Sequence, residues 1–456
     1  MTLRLARARA GSNGIRARRA GSALSFGLLA LGAACRKPPL DEVVYTGTEQ
    51  RQGAAAGNPG VAPPPPSVAP VTPADVPAAS ACAAPAAAQG PFTKLRLIEA
   101  AGECAVWHSC VFEEAARALE SAAAAHRDAN TGETLAAVTS AFASAMLSWQ
   151  RAELFRFGPA ARSTEPGGQD LRDLIYAWPV QPECKVDEQT VSRSYETPGF
   201  HSLDFAVSPV NGRTLSALEY LWFGSAEQNH CSQFSSINSS GSWAALPATE
   251  LAQRRRRYAA EAAIDVRARA AQLVEAWAPS GGNFRARLVA AGGDPFNSEQ
   301  HALNAISNAL FYFDLELKDD KLATPLGLAP ECSQSACPDA VESTYTDLSM
   351  EYIRQNVVGF RRLFEGCGPD YAGIGFDDWL RDVGAGELAD RMLASTRGVE
   401  AAIDRVPGSL AQALVDNRAL PLAVYDAVKV VTDELKTEFV TVLNLELPAA
   451  AEGDND

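Results

Sequence analysis

The chain has 456 residues, 47% hydrophobic and 21% charged, close to the average of soluble globular proteins, which excludes a wholly disordered chain and a multi-span membrane protein. Its net charge of -15 excludes sequence-independent nucleic-acid binding, because phosphates must be met by a surplus of lysine and arginine. Cationic partners are electrostatically easier.

Residues 1–34 read as an export signal peptide. Arg4, Arg7, Arg9, Arg16, Arg18 and Arg19 come without any acidic residue, and Leu24, Phe26, Leu28, Leu29 and Leu31 form an apolar run too short to span a membrane. Gly32, Ala33 and Ala34 then precede Cys35. Small residues directly before a cysteine resemble the lipobox of bacterial lipoproteins, so Cys35 is the expected lipidation site and membrane anchor, with ordinary secretion as the alternative. Residues 35–90 are rich in Ala, Pro and Gly, including the run Pro63–Pro66, and read as a disordered tether, since such a segment buries too little apolar area to offset its chain entropy.

Nine cysteines less Cys35 leave Cys82, Cys104, Cys110, Cys184, Cys231, Cys332, Cys337 and Cys367. An even set in an exported chain predicts disulfides. Cys104 with Cys110 and Cys332 with Cys337 are close enough for local staples, and a bond from Cys82 would pin the tether to the folded body. No CxxC occurs, so a structural zinc site is not expected.

From Pro91 onward the periodicity is helical and the fold class is all-α. Tyr258, Ala262, Val266, Ala270, Leu273 and Trp277 recur every three or four residues, and the run Arg254–Arg257 reads as a solvated charged face. Met350, Ile353, Val357, Phe360 and Phe364 repeat the stripe, as do Val424, Val428, Val431, Leu435 and Phe439. Asn297 and Ser298 predict a helix start near Glu299, and Pro279 with Gly281 and Gly282 ends the helix before it. The Ser-, Asn- and Gly-rich stretch 228–247 reads as the connection between an N-terminal helical bundle, residues 91–240, and a C-terminal one, 241–448, followed by an acidic tail, 449–456.

Chemistry-bearing residues gather around 198–224. On a helix, His201 and Asp204 would share a face and could approach one metal ion or one proton. Glu219 sits among Leu215, Leu218, Leu221, Trp222 and Phe223, where a carboxylate must be paired, coordinated or protonated. Its expected partner is a cationic or hydroxyl group from the Trp149 helix or from the stretches near 318–349, with Arg151 first because a guanidinium donates two parallel bonds. His108, His126, His230 and His301 stand in no ligand spacing.

Four ordered stretches resemble the imelysin-like family, bacterial envelope proteins first described as insulin-cleaving peptidases and often linked to iron. They are Trp149–Pro159, ending Phe-Gly-Pro, with the Trp-Pro turn Tyr176–Pro179; the signature helix Leu215–Gly224; Lys318–Gly327; and Glu342–Ser349. The family hallmark Gly-x-His-x-x-Glu stands here as Thr214-x-Ser216-x-x-Glu219, and the upstream Gly199-Phe200-His201-Ser202-Leu203-Asp204 places Asp where Glu is expected. The resemblance implies two packed helical bundles with a cleft between them.

The expected function is an exported imelysin-like lipoprotein of the periplasm or outer membrane, a non-catalytic ligand- or metal-binding protein linked to iron acquisition. Its expected ligand-binding residues are Trp149, Arg151, His201, Asp204, Glu219, Tyr220, Lys318 and Ser343, with His201, Asp204 and Glu219 as the metal set and iron or zinc as the candidate ions. A metallopeptidase usually needs three protein ligands and an open water position. His201-x-x-Asp204 is followed by Phe205 rather than a second histidine, and no Gly-x-Ser-x-Gly elbow is present. The imelysin-type metallopeptidase and a purely structural envelope protein remain as alternatives, and oligomeric state is open.

Overall fold

The computed structural model describes residues 82–86, 90–180, 182–202 and 210–451. The expected signal peptide, Cys35, most of the tether, Asp204 and the end of the acidic tail lie outside them. Among the described residues every regular element is helical, and no helix is long and apolar enough to cross a membrane.

Two long helices open the fold. α1 (Lys94–Ala129) starts at Thr93, whose hydroxyl accepts from the Arg96 N–H, and stops at Asn130 in the left-handed region; α2 (Gly132–Ala152) follows a Thr131/Thr134 capping box. The short helices α3 (Leu171–Ile175), α4 (Glu183–Ser192), α5 (Leu215–Phe223) and α6 (Ser236–Ser239) lead to the long α7 (Ala248–Trp277). α8 (Phe284–Ala290) and α9 (Glu299–Asn308) come next, α9 capped by Ser298 as its sequence predicts. A π-helical segment, Phe313–Ala323, runs into α10 (Thr324–Leu326). The remainder is α11 (Ser349–Phe364), α12 (Phe376–Asp382), α13 (Gly386–Ile403), α14 (Leu410–Asp416), α15 (Ala419–Glu434) and α16 (Val440–Leu443).

The helices gather into two packed bundles. In one, α2 and α7 lie along α1, where buried Ala101, Ala105, Ala115, Ala116 and Ala123 allow close approach, and α5 packs on α7. α7 thus joins α1 although it follows the Ser- and Asn-rich connection. In the other, α11, α13, α15 and the π-helical segment pack together. One hydrophobic cluster, from Leu97 to Ala451, is continuous through both. The bundles meet where α11 crosses α2, at Gly359: a Cβ there would lie 3.0 Å from the Arg151 carbonyl oxygen and 3.3 Å from the Leu154 Cβ. A side chain at this position would push the helices apart.

All eight described cysteines are paired, as Cys82–Cys110, Cys104–Cys367, Cys184–Cys231 and Cys332–Cys337. The Cys332–Cys337 staple and the anchoring of Cys82 to the body match expectation. Cys104–Cys110 does not form. Both cysteines stand on α1, and six residues of helix separate them by about 9 Å of rise, beyond the roughly 7 Å that a disulfide spans. The bond from Cys104 instead ties α1 to the residue three beyond the end of α11.

The Arg254–Arg257 run is not a solvated face throughout. Arg255 is buried and donates to the carbonyls of Leu221 (3.1 Å), Gly224 (3.2 Å) and Tyr220 at the end of α5, where helical acceptors run short of helical donors. Its position on α7, one turn before Tyr258 and Ala259, turns it inward.

Candidate functional site

α5 is apolar on nearly all sides, and its single carboxylate, Glu219, is 4% exposed. One oxygen, Oε1, receives four donors from the loop before α11: the hydroxyls of Ser343 and Thr346, each at 3.1 Å, and the backbone N–H groups of Tyr345 and Thr346, each at 3.2 Å. All four are uncharged. Burial outweighs these bonds, and with the Glu342 carboxylate nearby it pushes the Glu219 pKa up to about 7. Arg151 is not the partner; its Nε donates to Gln355 on α11, because it stands where α2 is crossed by that helix.

Next to Ser343 begins a buried polar seam. The Lys321 ammonium, on the π-helical segment, lies 2.9 Å from Glu342 Oε2 and donates to Gln150 Oε1 (2.6 Å) and Asn356 Oδ1 (2.9 Å). Gln150 Nε2 and the Tyr176 hydroxyl both donate to Glu342 Oε1 at 2.9 Å. Just past the end of α2, Glu153 accepts from Arg172 (Nε, 2.9 Å) and from the Tyr312 hydroxyl (3.2 Å). Arg172 also meets Asp173 at 2.9 Å and the Trp178 carbonyl at 3.0 Å.

The seam reaches the surface at a cleft of about 380 Å³, whose walls come from residues 156–173, 305–316 and 448–450. Arg156, Arg162 and Arg172 supply guanidinium groups, and Glu165, Asp173 and Glu316 supply carboxylates. Arg156 is paired with Glu316, and burial followed by the Arg172 charge brings its pKa down to about 10. The Phe157-Gly158-Pro159 turn beside it depends on its glycine: φ is +62°, and a Cβ would collide with the Phe284 ring.

A second polar cluster begins at the next residue of α5 after Glu219. The Tyr220 hydroxyl donates to the buried Asp187 (2.9 Å) and sits 3.0 Å from His230 Nδ1, and the His230 backbone N–H also donates to Asp187 at 2.8 Å. Desolvation pushes the Asp187 pKa up to about 6, against these bonds.

Of the expected site residues, the structure brings Glu219 and Ser343 into direct contact. Tyr220 belongs to the Asp187 cluster. Trp149 is buried against Phe112 at a ring distance of 4.8 Å. Lys318 is buried beside Asp314 (3.4 Å) and Asp319 (2.9 Å). His201 lies in a turn rather than a helix, and its ring meets Asp265 (2.9 Å) and Glu261 (3.3 Å) on α7. Asp204 lies outside the described residues.

Sequence reasoning misses Gln150, Glu153, Tyr176, Lys321, Glu342 and Asn356. All but Asn356 stand within the stretches singled out from the sequence. Gln150 and Glu153, three apart between Ala145–Leu147 and Leu154–Phe155, are detectable as polar positions in an apolar run.

The residues around Glu219 do not fit a metal ion. Four donors already occupy Oε1, and Ser216, at the hallmark's histidine position, has its hydroxyl 2.9 Å from that of Thr214. Among the described residues, each group of three or more potential ligand atoms within 4.8 Å of one another contains a disulfide: Cys104–Cys367 with His108, Cys82–Cys110 with Glu114, and Cys184–Cys231 with Glu188.

Comparison with known proteins bears on this arrangement. An imelysin-like protein from Psychrobacter arcticum 273-4 has a similar crystal structure, with TM-score 0.57 and 14% identity over 79% of this chain and 99% of that one. An iron-regulated protein A precursor from Parabacteroides distasonis ATCC 8503 is similar at TM-score 0.59 and 15% identity, over 79% and 97% of the two chains. No curated protein matches the chain. The family model described as Imelysin matches residues 111–435, which takes in all four stretches with the Glu219 cage and the polar seam, and the chain belongs to the imelysin family.

Proposed function

We propose that the chain is an exported protein of the bacterial cell envelope, anchored through a lipidated Cys35, that binds a small polar ligand in the service of iron acquisition and does not hydrolyse it. The observation that carries the non-catalytic reading is the Glu219 cage. A general base or a metal-bound water must face the substrate, whereas this carboxylate is buried with its Oε1 taken by four uncharged donors, and the hallmark histidine is replaced by Ser216. Binding is placed at the cleft, where the polar seam opens and the volume of about 380 Å³ falls in the range of small-molecule sites. The link to iron is supported by the name of the Parabacteroides distasonis neighbour.

The test is incubation of the purified protein with unstructured peptides and mass-spectrometric analysis of the products. No cleavage is expected in the parent, and cleavage abolished by Glu219→Gln would return the peptidase reading. Cys35→Ala should release the protein from membranes, and unchanged membrane association would remove the lipid anchor. Expression that is indifferent to iron starvation would remove the iron link.

A further inference from the structure

Cys104 and His108, four residues apart on α1 and so on one face of it, meet Cys367 from the loop after α11. The two sulfurs and one nitrogen of the His108 ring lie within 4.8 Å of one another. All three residues are buried, at 1%, 3% and 4% exposure in chain order. His108 Nε2 is enclosed without a hydrogen-bond partner among the described residues. A buried polar atom left unpaired is costly, and one beside two sulfurs calls for an ion or a redox role. The Trp107 and Phe155 rings pack on the imidazole at 4.6 and 5.0 Å. Burial, and then the charges of Arg151 and Arg362, keep it neutral, so it retains a lone pair.

While the disulfide stands, neither sulfur is a thiolate. The Cα atoms are 5.7 Å apart, so after reduction the sulfurs can part to flank one ion while the backbone stays in place. The bond also ties the loop to α1, and Pro369, Asp370 and Ala372 of that loop are exposed. Local opening of the loop, rather than parting of the helices, would admit a reductant and an ion. Among the described residues no fourth histidine, cysteine or carboxylate joins the group. Three ligands, two of them soft thiolates, suit Cu(I), which accepts three-fold coordination, better than zinc, which takes four ligands. Two thiolates around a monovalent ion leave one negative charge, which Arg151 and Arg362 offset. We propose that reduction of Cys104–Cys367 opens a buried site for Cu(I), held by the two thiolates and His108. A dithiol, the reductant this requires, gives two electrons and two protons to the disulfide and becomes a disulfide itself. Cu(I) then displaces the two thiol protons and forms two Cu–S bonds without changing oxidation state.

In the test, the full exported chain is reduced with a water-soluble phosphine, freed of it without air, and mixed with Cu(I) held by the chromogenic chelator bicinchoninate. The reduced parent is expected to take one equivalent of Cu(I) more than Cys104→Ser/Cys367→Ser treated alike, and the oxidised parent none. His108→Gln should hold the ion at least about tenfold more weakly, since removal even of an outer hydrogen-bond partner of a metal ligand costs about that much. Copper X-ray absorption of the loaded parent should show two sulfurs and one nitrogen. Equal uptake by the parent and the double serine variant, or equal retention by His108→Gln, would overturn the assignment. So would loss of helical circular dichroism on reduction alone, because the three ligands meet only in the folded chain. A reduced parent that takes Zn(II) but leaves Cu(I) with the chelator would overturn the choice of ion.

Discussion

The Ser343 hydroxyl donates to Glu219 across 3.1 Å, a bond between residues 124 positions apart that fastens the signature helix to the loop entering α11. Glu219 thereby joins the two bundles through a buried carboxylate with no cationic partner among the described residues. Its polarity is matched by geometry alone, so its replacement should separate shape from hydrogen bonding.

Glu219→Gln keeps the shape and an acceptor for some of the four donors and should cost about 1 kcal/mol or less at neutral pH. Glu219→Leu strands two hydroxyls and two backbone N–H groups, and should cost roughly 2 to 4 kcal/mol. Urea denaturation of both variants decides the matter. A leucine variant as stable as the parent would mean that the loop turns its donors elsewhere.

The elevated Glu219 pKa sets the sign of a pH effect. Its ordinary value is 4.5 and its folded value about 7. Within that window the folded carboxyl keeps a proton that the unfolded one has lost, so its contribution to stability falls as pH rises from 4.5 to 7 and levels off above. Relative to Glu219→Gln, the parent should therefore lose stability across this window, by a few kcal/mol at most. Parallel pH profiles of the two would refute the raised pKa.

Lys321 and Glu342 form the central ion pair of the seam, 2.9 Å apart with side chains 1% exposed. Lys321→Met should cost roughly 3 to 5 kcal/mol, because Glu342 then remains buried without its cation. Adding Glu342→Gln should recover part of that loss, and a double-mutant cycle by denaturation measures the coupling. Equal losses in the single and double variants would show that Lys321 acts through packing alone.

The disulfides should differ in worth. Cys104–Cys367 closes a separation of 263 residues and Cys332–Cys337 one of 5. The loop-entropy relation makes removal of the first costlier by roughly 3 kcal/mol. Paired Cys→Ser variants compared in guanidinium check this, and equal losses would point to structure retained in the unfolded chain.

Helical periodicity is legible in the order of residues alone: the stripes of α7, α11 and α15, the Ser298 cap and the C-terminal end of α7 all stand where residue spacing puts them. These are local signals, carried by neighbours three or four positions apart. The family stretches are legible for the same reason, and so is the burial of Glu219 in an apolar helix. The identity of its partner is not. Ser343 and Arg151 both lie in the family stretches, and charge alone favours the arginine.

Tertiary packing reverses that preference, since α11 crosses α2 at Gly359 and gives Arg151 its own partner in Gln355. It likewise decides that Arg255 faces inward, that Cys104 reaches Cys367 rather than Cys110, and that His201 meets α7. The amino-acid sequence by itself determined the all-α class, the start of α9, the end of α7 and an even set of cysteines able to pair, because these follow from local spacing and composition. Which polar groups meet depends on helix crossings between residues more than a hundred positions apart, and the Glu219 cage, the Lys321 seam and the arginine-bearing cleft were decided only there.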